Sequence, residues 1–68
     1  MSDQRPPPIV MKAAEKVGGL SELARKLGIS HTAFYRWTVV PSIRVLTIEK
    51  LTGVSRHDLR PDLYPRED

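Results

Sequence analysis

The chain has 68 residues and no cysteine, with eleven Lys or Arg residues against eight Asp or Glu residues. A chain of this length can bury one small core, and without cysteine it forms neither a disulfide framework nor a thiolate metal site. The opening stretch MSDQRPPP lacks the apolar run of a signal peptide, and no later stretch is long and apolar enough to span a membrane, so we expect one cytoplasmic domain without a membrane anchor.

The N-terminal part of the chain divides into a tail and a first helix. Residues 1–8 include three successive prolines and few apolar side chains, which predicts a disordered or polyproline-like tail. From residue 9 onward, apolar side chains recur at the spacing of one helical face: Val10, Ala13, Ala14 and Val17. Gly18 and Gly19 are expected to end this helix.

A second and a third helix follow around a short turn. The second is predicted from the same apolar spacing, at Leu20, Leu23, Ala24 and Leu27, and Gly28 is placed to end it in a left-handed conformation. Ser30 is a typical N-cap, and Ile29 before it is expected to contact Phe34. The third helix then covers about residues 31–37, with Phe34 and Trp37 turned to the core.

Two further helices complete the predicted domain. Either Pro41 at the first helical position or Ser42 as a cap begins the fourth helix, which Gly53 ends. Its buried side is expected to consist of Val45, Ile48 and Leu51. Ser55 caps a one-turn fifth helix before Pro61, with Asp58 as the second half of a capping box.

The C-terminal residues and the overall pattern define the fold class. Leu63 and Tyr64 are expected to fold over the core, and residues 66–68 to form a polar tail. No stretch shows the alternation of a strand, so the sequence predicts a compact all-α domain of five helices over residues 9–65.

The second and third helices satisfy the requirements of a helix-turn-helix. Such a unit needs a small residue where the helices touch and a glycine in the turn, and Ala24 and Gly28 meet these needs. Side chains at the inward positions are apolar, whereas those at the outward positions of the third helix are polar. The sequence therefore predicts a two-helix unit with one exposed polar face.

Two segments carry a resemblance to a known family. Leu23-Ala24-Arg25-Lys26-Leu27-Gly28-Ile29-Ser30 and Ala33-Phe34-Tyr35-Arg36-Trp37 resemble the Cro group of phage repressors. Val40-Pro41 and the stretch from Ile48 to Pro65 are similar to the YdaS-type branch, small prophage regulators often described as antitoxins. Over roughly residues 9–65, the resemblance implies a five-helix repressor domain. His31 and Ile43 depart from it, because relatives often carry glutamine and a charged residue there.

The helix-turn-helix reading assigns two sets of DNA contacts. The N-terminal residues of a recognition helix reach base edges in the major groove, while the preceding helix lies across the backbone. The expected base-reading residues are Ser30, His31, Thr32, Tyr35 and Arg36. The expected phosphate-binding residues are Leu20, Ser21, Arg25 and Arg44. Seven basic and two acidic residues between Arg25 and Arg60 favour a polyanionic partner.

An alternative reading makes the chain a protein-interaction module, an antitoxin whose main role is to bind a toxin protein. It rests on four apolar residues expected to form an exposed patch: Val39, Val40, Ile43 and Leu46. The same patch could join two copies in a weak, DNA-coupled homodimer on paired half-sites. Lys50, Arg56 and Arg60 either contact DNA or pair with Glu49 and Asp58; the sequence leaves this open.

Metal and enzyme functions are not expected. His31 and His57 have no cysteine and no acidic residue at ligand spacing beside them, so we expect no metal site and no cofactor. No pairing of a nucleophile with a base and no glycine-rich phosphate loop is recognisable, so we expect a binding protein and not an enzyme.

Overall fold

The computed structural model describes residues 5–66, which form five helices and no strand. In chain order these are α1 (Pro8–Glu15), α2 (Leu20–Leu27), the 3₁₀ helix η1 (His31–Arg36), α3 (Ser42–Thr52) and α4 (Arg56–Leu59). The predicted all-α, five-helix class is confirmed. The parts of the predicted tails at residues 1–4 and 67–68 lie outside the described residues.

The prolines at the start of the chain belong to the folded domain, contrary to the prediction of a free tail up to residue 8. Pro6 and Pro7 are buried, and Pro8 is the first residue of α1. The carbonyl of Pro7 accepts hydrogen bonds from the backbone N–H groups of Val10, at 2.8 Å, and Met11, at 3.2 Å. A proline has no N–H to leave unpaired, and its fixed φ suits the first helical position. Burial of Pro6 and Pro7 therefore leaves no backbone N–H group without a hydrogen-bond partner.

The turn between α2 and η1 follows the sequence prediction. Gly28 has φ 74° and ψ 28°, in the left-handed region. The N–H of Gly28 donates to the carbonyl of Arg25 at 3.2 Å, and the N–H of Ile29 donates to that of Ala24 at 3.0 Å. These two bonds form a Schellman motif, which pairs carbonyls that the end of α2 would otherwise leave free.

The third helix is a short 3₁₀ helix and ends one residue before the predicted end. Trp37 is extended, with φ −77° and ψ 125°. The residues after it, from Thr38 to Val40, are β-branched, and Pro41 disfavours a helical conformation at Val40. Phe34 is fully buried, whereas Trp37 is half-buried with its ring edge-on to that of Phe34 at a centroid distance of 4.9 Å.

All five helices contribute to the core. Three residues differ from their predicted burial. The largest fully buried side chains are Phe34, Leu23, Ile48, Val10, Val40 and Val45. Val40 is thus a core residue and not part of an exposed patch. Leu51 is exposed, although it was expected on the buried side of α3. Leu63, expected to fold over the core, is exposed as well, whereas Tyr64 does pack against the core.

Helical rotation explains the exposure of Leu51. Each residue turns an α-helix by about 100°. Thr52, four positions after Ile48, therefore lies between the directions of Val45 and Ile48, whereas Leu51, three positions after Ile48, is turned further away from Val45. Thr52 takes that inward position and its hydroxyl donates to the carbonyl of Ile48 at 2.7 Å. Leu51 is consequently turned towards solvent.

Candidate nucleic-acid interface

The five predicted base-reading side chains are all exposed and lie within one short stretch of chain. They are Ser30, His31, Thr32, Tyr35 and Arg36. Between them, Phe34 is buried and fixes η1 against the core. A 3₁₀ helix has about three residues per turn, so side chains three positions apart, such as Thr32 and Tyr35, lie in one row. All five side chains are exposed on η1 or at its N-cap, and we call the polar surface that they form the reading face.

Two residues of the reading face also start the helix that carries it. The hydroxyl of Ser30 accepts a hydrogen bond from the N–H of Thr32 at 3.4 Å, and the two hydroxyls share a hydrogen bond of 2.8 Å. This is the N-cap expected from the sequence. By contrast, the side chains of His31, Tyr35 and Arg36 make no hydrogen bond or ion pair with any described residue. Their donors and acceptors are free to contact a ligand.

The predicted phosphate-binding residues occupy different surroundings. At the start of α2, Leu20 is half-buried against the core, whereas Ser21 is exposed. Arg25, on the same helix, donates to the carboxylate of Glu22 at 2.6 Å. Arg44 is half-buried in the first turn of α3 and makes no ion pair with a described residue. Three of the four are therefore polar or charged groups reachable from solvent, and one is mainly a packing residue.

Glu22 is a charged neighbour that the sequence analysis left out. The hydrogen bond and the positive charge of Arg25 hold the pKa of Glu22 below its ordinary value. The i, i+3 spacing of Glu22 and Arg25 on a helix could have indicated the pair. An exposed ion pair of this kind contributes little free energy, so Arg25 can exchange its partner for a phosphate at small cost.

The basic residues of the C-terminal half differ in their partners. Arg56 is bound by Glu49, which accepts from its backbone N–H at 2.8 Å and from Nε at 3.1 Å. Arg60 pairs with Asp62, through Nε at 2.8 Å and Nη2 at 2.7 Å, and not with Glu49 or Asp58. Lys50 is exposed and has no partner among residues 5–66. In the unbound protein, two of these three basic residues are therefore paired with carboxylates and Lys50 is solvated.

Three of the four residues of the predicted apolar patch are exposed, namely Val39 in the loop before α3 and Ile43 and Leu46 on α3. Ile43, at 82% exposure, is the most exposed large apolar residue described. Val40, predicted to belong to the patch, is fully buried. Val39, its neighbour in the chain, is 53% exposed, so the two valines differ in burial.

Among residues 5–66, no group of three or more His, Cys, Asp or Glu side chains is placed to hold a metal ion. No helix in this part of the chain has the length and apolar character needed to cross a bilayer.

The fold and the reading face define a class of protein: a small all-α domain with a helix-turn-helix-like pair, α2 and η1, joined by a left-handed glycine. The chain matches the family model described as "Bacterial toxin YdaS" over residues 10–67, and it belongs to this family. The predicted YdaS-type membership is confirmed, and it makes the chain a toxin- or antitoxin-related prophage protein. No curated protein and no solved structure matches the chain.

Proposed function

We propose that this protein is a sequence-specific regulator that binds double-stranded DNA, acting in the cytoplasm as a repressor of the Cro-like helix-turn-helix type. The observation that carries the proposal is the reading face: His31, Tyr35 and Arg36 are exposed and unpaired on η1, directly after the turn at Gly28. Its mode of action is occupation of an operator, so the chain is a binding protein and not an enzyme.

The chemistry of the reading face suits base edges in the major groove. The guanidinium of Arg36 can donate two parallel hydrogen bonds to O6 and N7 of guanine. The His31 ring can donate to or accept from a base edge, and the Thr32 methyl group can contact a thymine methyl. Ser30 stays close to the DNA but is engaged in capping η1. Discrimination between sequences therefore rests mainly on His31, Tyr35 and Arg36.

The preceding helix would hold the protein on the phosphate backbone. The first backbone N–H groups of α2, at Leu20 and Ser21, carry the positive end of the helix dipole. Arg25 and Arg44 lie on α2 and on the first turn of α3 and add positive charge. Such contacts fix the register of the protein on DNA without reading sequence.

One short recognition helix reads few base pairs, so we propose that two copies occupy paired half-sites about 10 base pairs apart. The apolar patch of Val39, Ile43 and Leu46 is the surface proposed to join them. The patch is small, and we therefore expect the copies to pair on DNA rather than free in solution.

The test is selection of bound sequences from random duplex DNA, followed by affinity measurements with the selected sequence and with a scrambled one. Losing a good bidentate base contact costs about 1 to 3 kcal/mol, so Arg36→Ala should lower affinity for the selected sequence about 5- to 150-fold and affinity for the scrambled one far less. Lys12→Ala is the matched control, since it removes one positive charge from an exposed position on α1. If the wild-type chain selects no sequence, the proposal is wrong.

A second candidate function, binding of a partner protein, is favoured by the exposure of Ile43. An isoleucine that is 82% exposed on a helix whose opposite side is buried is typical of a contact surface. In this function the chain is an antitoxin that binds a toxin encoded by a neighbouring gene, and DNA binding is secondary. Ile43→Ser should then abolish co-purification of that protein, whereas Arg36→Ala should leave co-purification unchanged.

The family description names a toxin, whereas this candidate describes an antitoxin. Induced expression of the chain alone in bacteria distinguishes them. An antitoxin or an operator-binding repressor should leave growth unaffected in cells that lack the prophage, whereas a toxin should arrest growth.

A further inference from the structure

Arg60 connects the C-terminal segment to the loop that follows the reading face. Its Nη1 donates to the backbone carbonyl of Val40 at 2.7 Å, across twenty residues of sequence. Its Nε and Nη2 hold both carboxylate oxygens of Asp62, at 2.8 and 2.7 Å. The Arg60 side chain is only 15% exposed, while that of Asp62 is 63% exposed. The guanidinium thus lies between a buried part of the chain and a surface carboxylate.

The helix that carries the reading face depends on what holds its two ends. A 3₁₀ helix has poorer hydrogen-bond geometry than an α-helix, and η1 is only six residues long. At its start, Ser30 caps the chain and the turn at Gly28 ties it to α2. At its end, Trp37 is already extended and the next buried anchor is Val40. The position of Val40 therefore fixes the exit of η1.

We propose that Arg60, clamped by Asp62, is a positioning residue for the reading face: it holds the Val40 carbonyl and so sets the orientation of η1. The effect on DNA recognition rests on the proposed function, whereas the effect on η1 itself does not. Arg60 would act without touching DNA, because its guanidinium is directed at Val40 and Asp62.

The geometry requires an arginine. The guanidinium offers donors in a fixed planar fork, and here three of its nitrogens are used towards two partners on different sides. A lysine ammonium is a single point charge and cannot hold a bidentate carboxylate and the carbonyl in the same arrangement. The clamp is also insensitive to pH in the physiological range, since the pKa of Asp62 is lowered to about 2, mainly by its hydrogen bonds with Arg60.

The rest of the C-terminal segment keeps this clamp in place. The Nδ1–H of His57 donates to the carbonyl of Tyr64 at 2.7 Å, and the Arg56 guanidinium lies over the Tyr64 ring, 5.7 Å from its centroid. Arg66 donates to Asp58 at 2.6 Å. Residues 61–66 are thus attached to α4 at several points, so Asp62 presents its carboxylate to Arg60 from a fixed backbone.

The first measurement is hydrogen exchange in the free protein, for wild type and for Arg60→Lys. The amide protons of Ala33 and Trp37 report on the two ends of η1, because they bond to the carbonyls of Ser30 and Phe34. The amide of Gly53, bonded to Glu49, reports on α3. We expect exchange at Trp37 to accelerate about tenfold or more, with a smaller change at Ala33 and little at Gly53. Equal acceleration at all three would mean a general loss of stability and would overturn the proposal.

Two further variants separate the role of the Arg60 clamp from a general effect on stability. Arg25→Lys is the matched control, because it makes the same change on α2 at an exposed arginine that pairs with Glu22 and not with Val40. Asp62→Asn removes the bidentate clamp at an exposed position, so it should fold even if Arg60→Lys does not. Exchange at Trp37 should rise in Asp62→Asn and stay at the wild-type rate in Arg25→Lys. If the exchange rate of the Trp37 amide rises in neither Asp62→Asn nor Arg60→Lys, the inference is contradicted.

The second measurement is the ratio of affinities for selected and scrambled duplexes. Arg60→Lys should lower this ratio about 5- to 100-fold, whereas the salt dependence of binding stays unchanged because the charge is kept. An unchanged ratio together with weaker binding to both duplexes would make Arg60 a phosphate contact and overturn the positioning role. If the wild-type chain binds no duplex while Trp37 exchange responds as expected, the proposed function fails and the positioning of η1 by Arg60 stands.

Discussion

Phe34 and Trp37 lie three positions apart and differ in their contribution to the fold. Both were expected in the core, but Phe34 is fully buried and Trp37 only half-buried. Truncation of a fully buried aromatic side chain costs about 3 to 5 kcal/mol, which is a large share of the free energy of unfolding of a domain of this size. Phe34→Ala should therefore unfold the protein at or near room temperature, and Trp37→Ala should leave a folded protein with a lower melting temperature.

Thermal melts followed by circular dichroism test this difference. Phe34→Leu serves as the control, since it keeps most of the buried volume and should cost much less than Phe34→Ala. Equal melting temperatures for the two alanine variants would mean that the packing of η1 differs from the one described.

Single residues also show where sequence reasoning stops. The exposure of His31 and Arg36 could be predicted, because it follows from their outward positions in a local pattern. The burial of Val40 could not, since Val39 and Val40 are chemically identical and only the tertiary packing of the chain determines which of them faces the core. Pro6 and Pro7 were missed for a related reason: their composition resembles that of a linker, and burial depends on a neighbouring surface that the sequence does not display.

At the scale of the elements, the unit of α2 and η1 depends on Gly28. Gly53, at the end of α3, allows a matched control substitution. Gly28 and Gly53 both have positive φ, 74° and 80°, and an added Cβ at either meets no atom within 4 Å. Substitution by alanine is therefore a matter of backbone strain alone, about 1 to 2 kcal/mol at each position. Both variants should lose similar stability in denaturant unfolding.

Their effect on DNA binding should differ. Gly28 sets the angle between α2 and η1, whereas Gly53 lies between α3 and α4, away from the reading face. Under the proposed function, Gly28→Ala should weaken binding to the selected duplex more than Gly53→Ala, measured where both variants are fully folded. An equal loss would indicate that the turn at Gly28 matters for stability only.

The boundaries of the elements were predictable to different degrees. Those of α2 and α4 follow from local chemistry, namely Gly28, the Ser55 cap and Pro61, and the structure agrees with them. The 3₁₀ geometry of η1 was not predicted, because the apolar positions Phe34 and Trp37 fit a 3₁₀ and an α-helical spacing equally well. Of the four residues predicted to be exposed in and before α3, Val39, Ile43 and Leu46 are exposed and Val40 is buried. The sequence did not show that Leu51 lies on the exposed side of α3.

At the scale of the whole molecule, the distribution of charge determines how binding should depend on salt. Several arginines are already paired within the protein, Arg25, Arg56 and Arg60 among them, while Lys26, Arg36, Arg44 and Lys50 make no ion pair with a described residue. Each phosphate contact adds about −0.9 to the slope of log affinity against log salt. With about four contacts per protomer, we expect a slope of about −3 to −4.

The measurement is affinity for a duplex between low and moderate salt. Arg44→Ala should make the slope less steep by about one and leave the ratio between selected and scrambled duplexes unchanged, since a phosphate contact carries no sequence information. A slope near zero for the wild-type protein would contradict DNA binding altogether.

The carboxylates of the molecule predict how the fold responds to acid. The Arg60 hydrogen bonds lower the pKa of Asp62 from 3.8 to about 2, and Arg66 and Arg25 lower the pKa values of Asp58 and Glu22. A group whose pKa is lower in the folded state binds fewer protons there than in the unfolded chain. Its stabilising contribution is complete above the ordinary pKa, near 4, and is lost as the pH falls from there towards 2. Stability should therefore decline over this acidic interval.

Asp62→Asn isolates the share that belongs to the Arg60 clamp. In urea unfolding at pH 6 the variant should have a lower midpoint than the wild type, because the charged carboxylate and its two hydrogen bonds are replaced by a neutral amide. As the pH is lowered towards 2, the wild-type carboxylate becomes protonated and the two midpoints should converge. Glu15→Gln is the control, since Glu15 is exposed and makes no ion pair within the described part of the chain. A difference between Asp62→Asn and wild type that stays constant from pH 6 to pH 2 would show that the Asp62 charge does not hold Arg60, and that the link from the C-terminal segment to Val40 depends on packing instead.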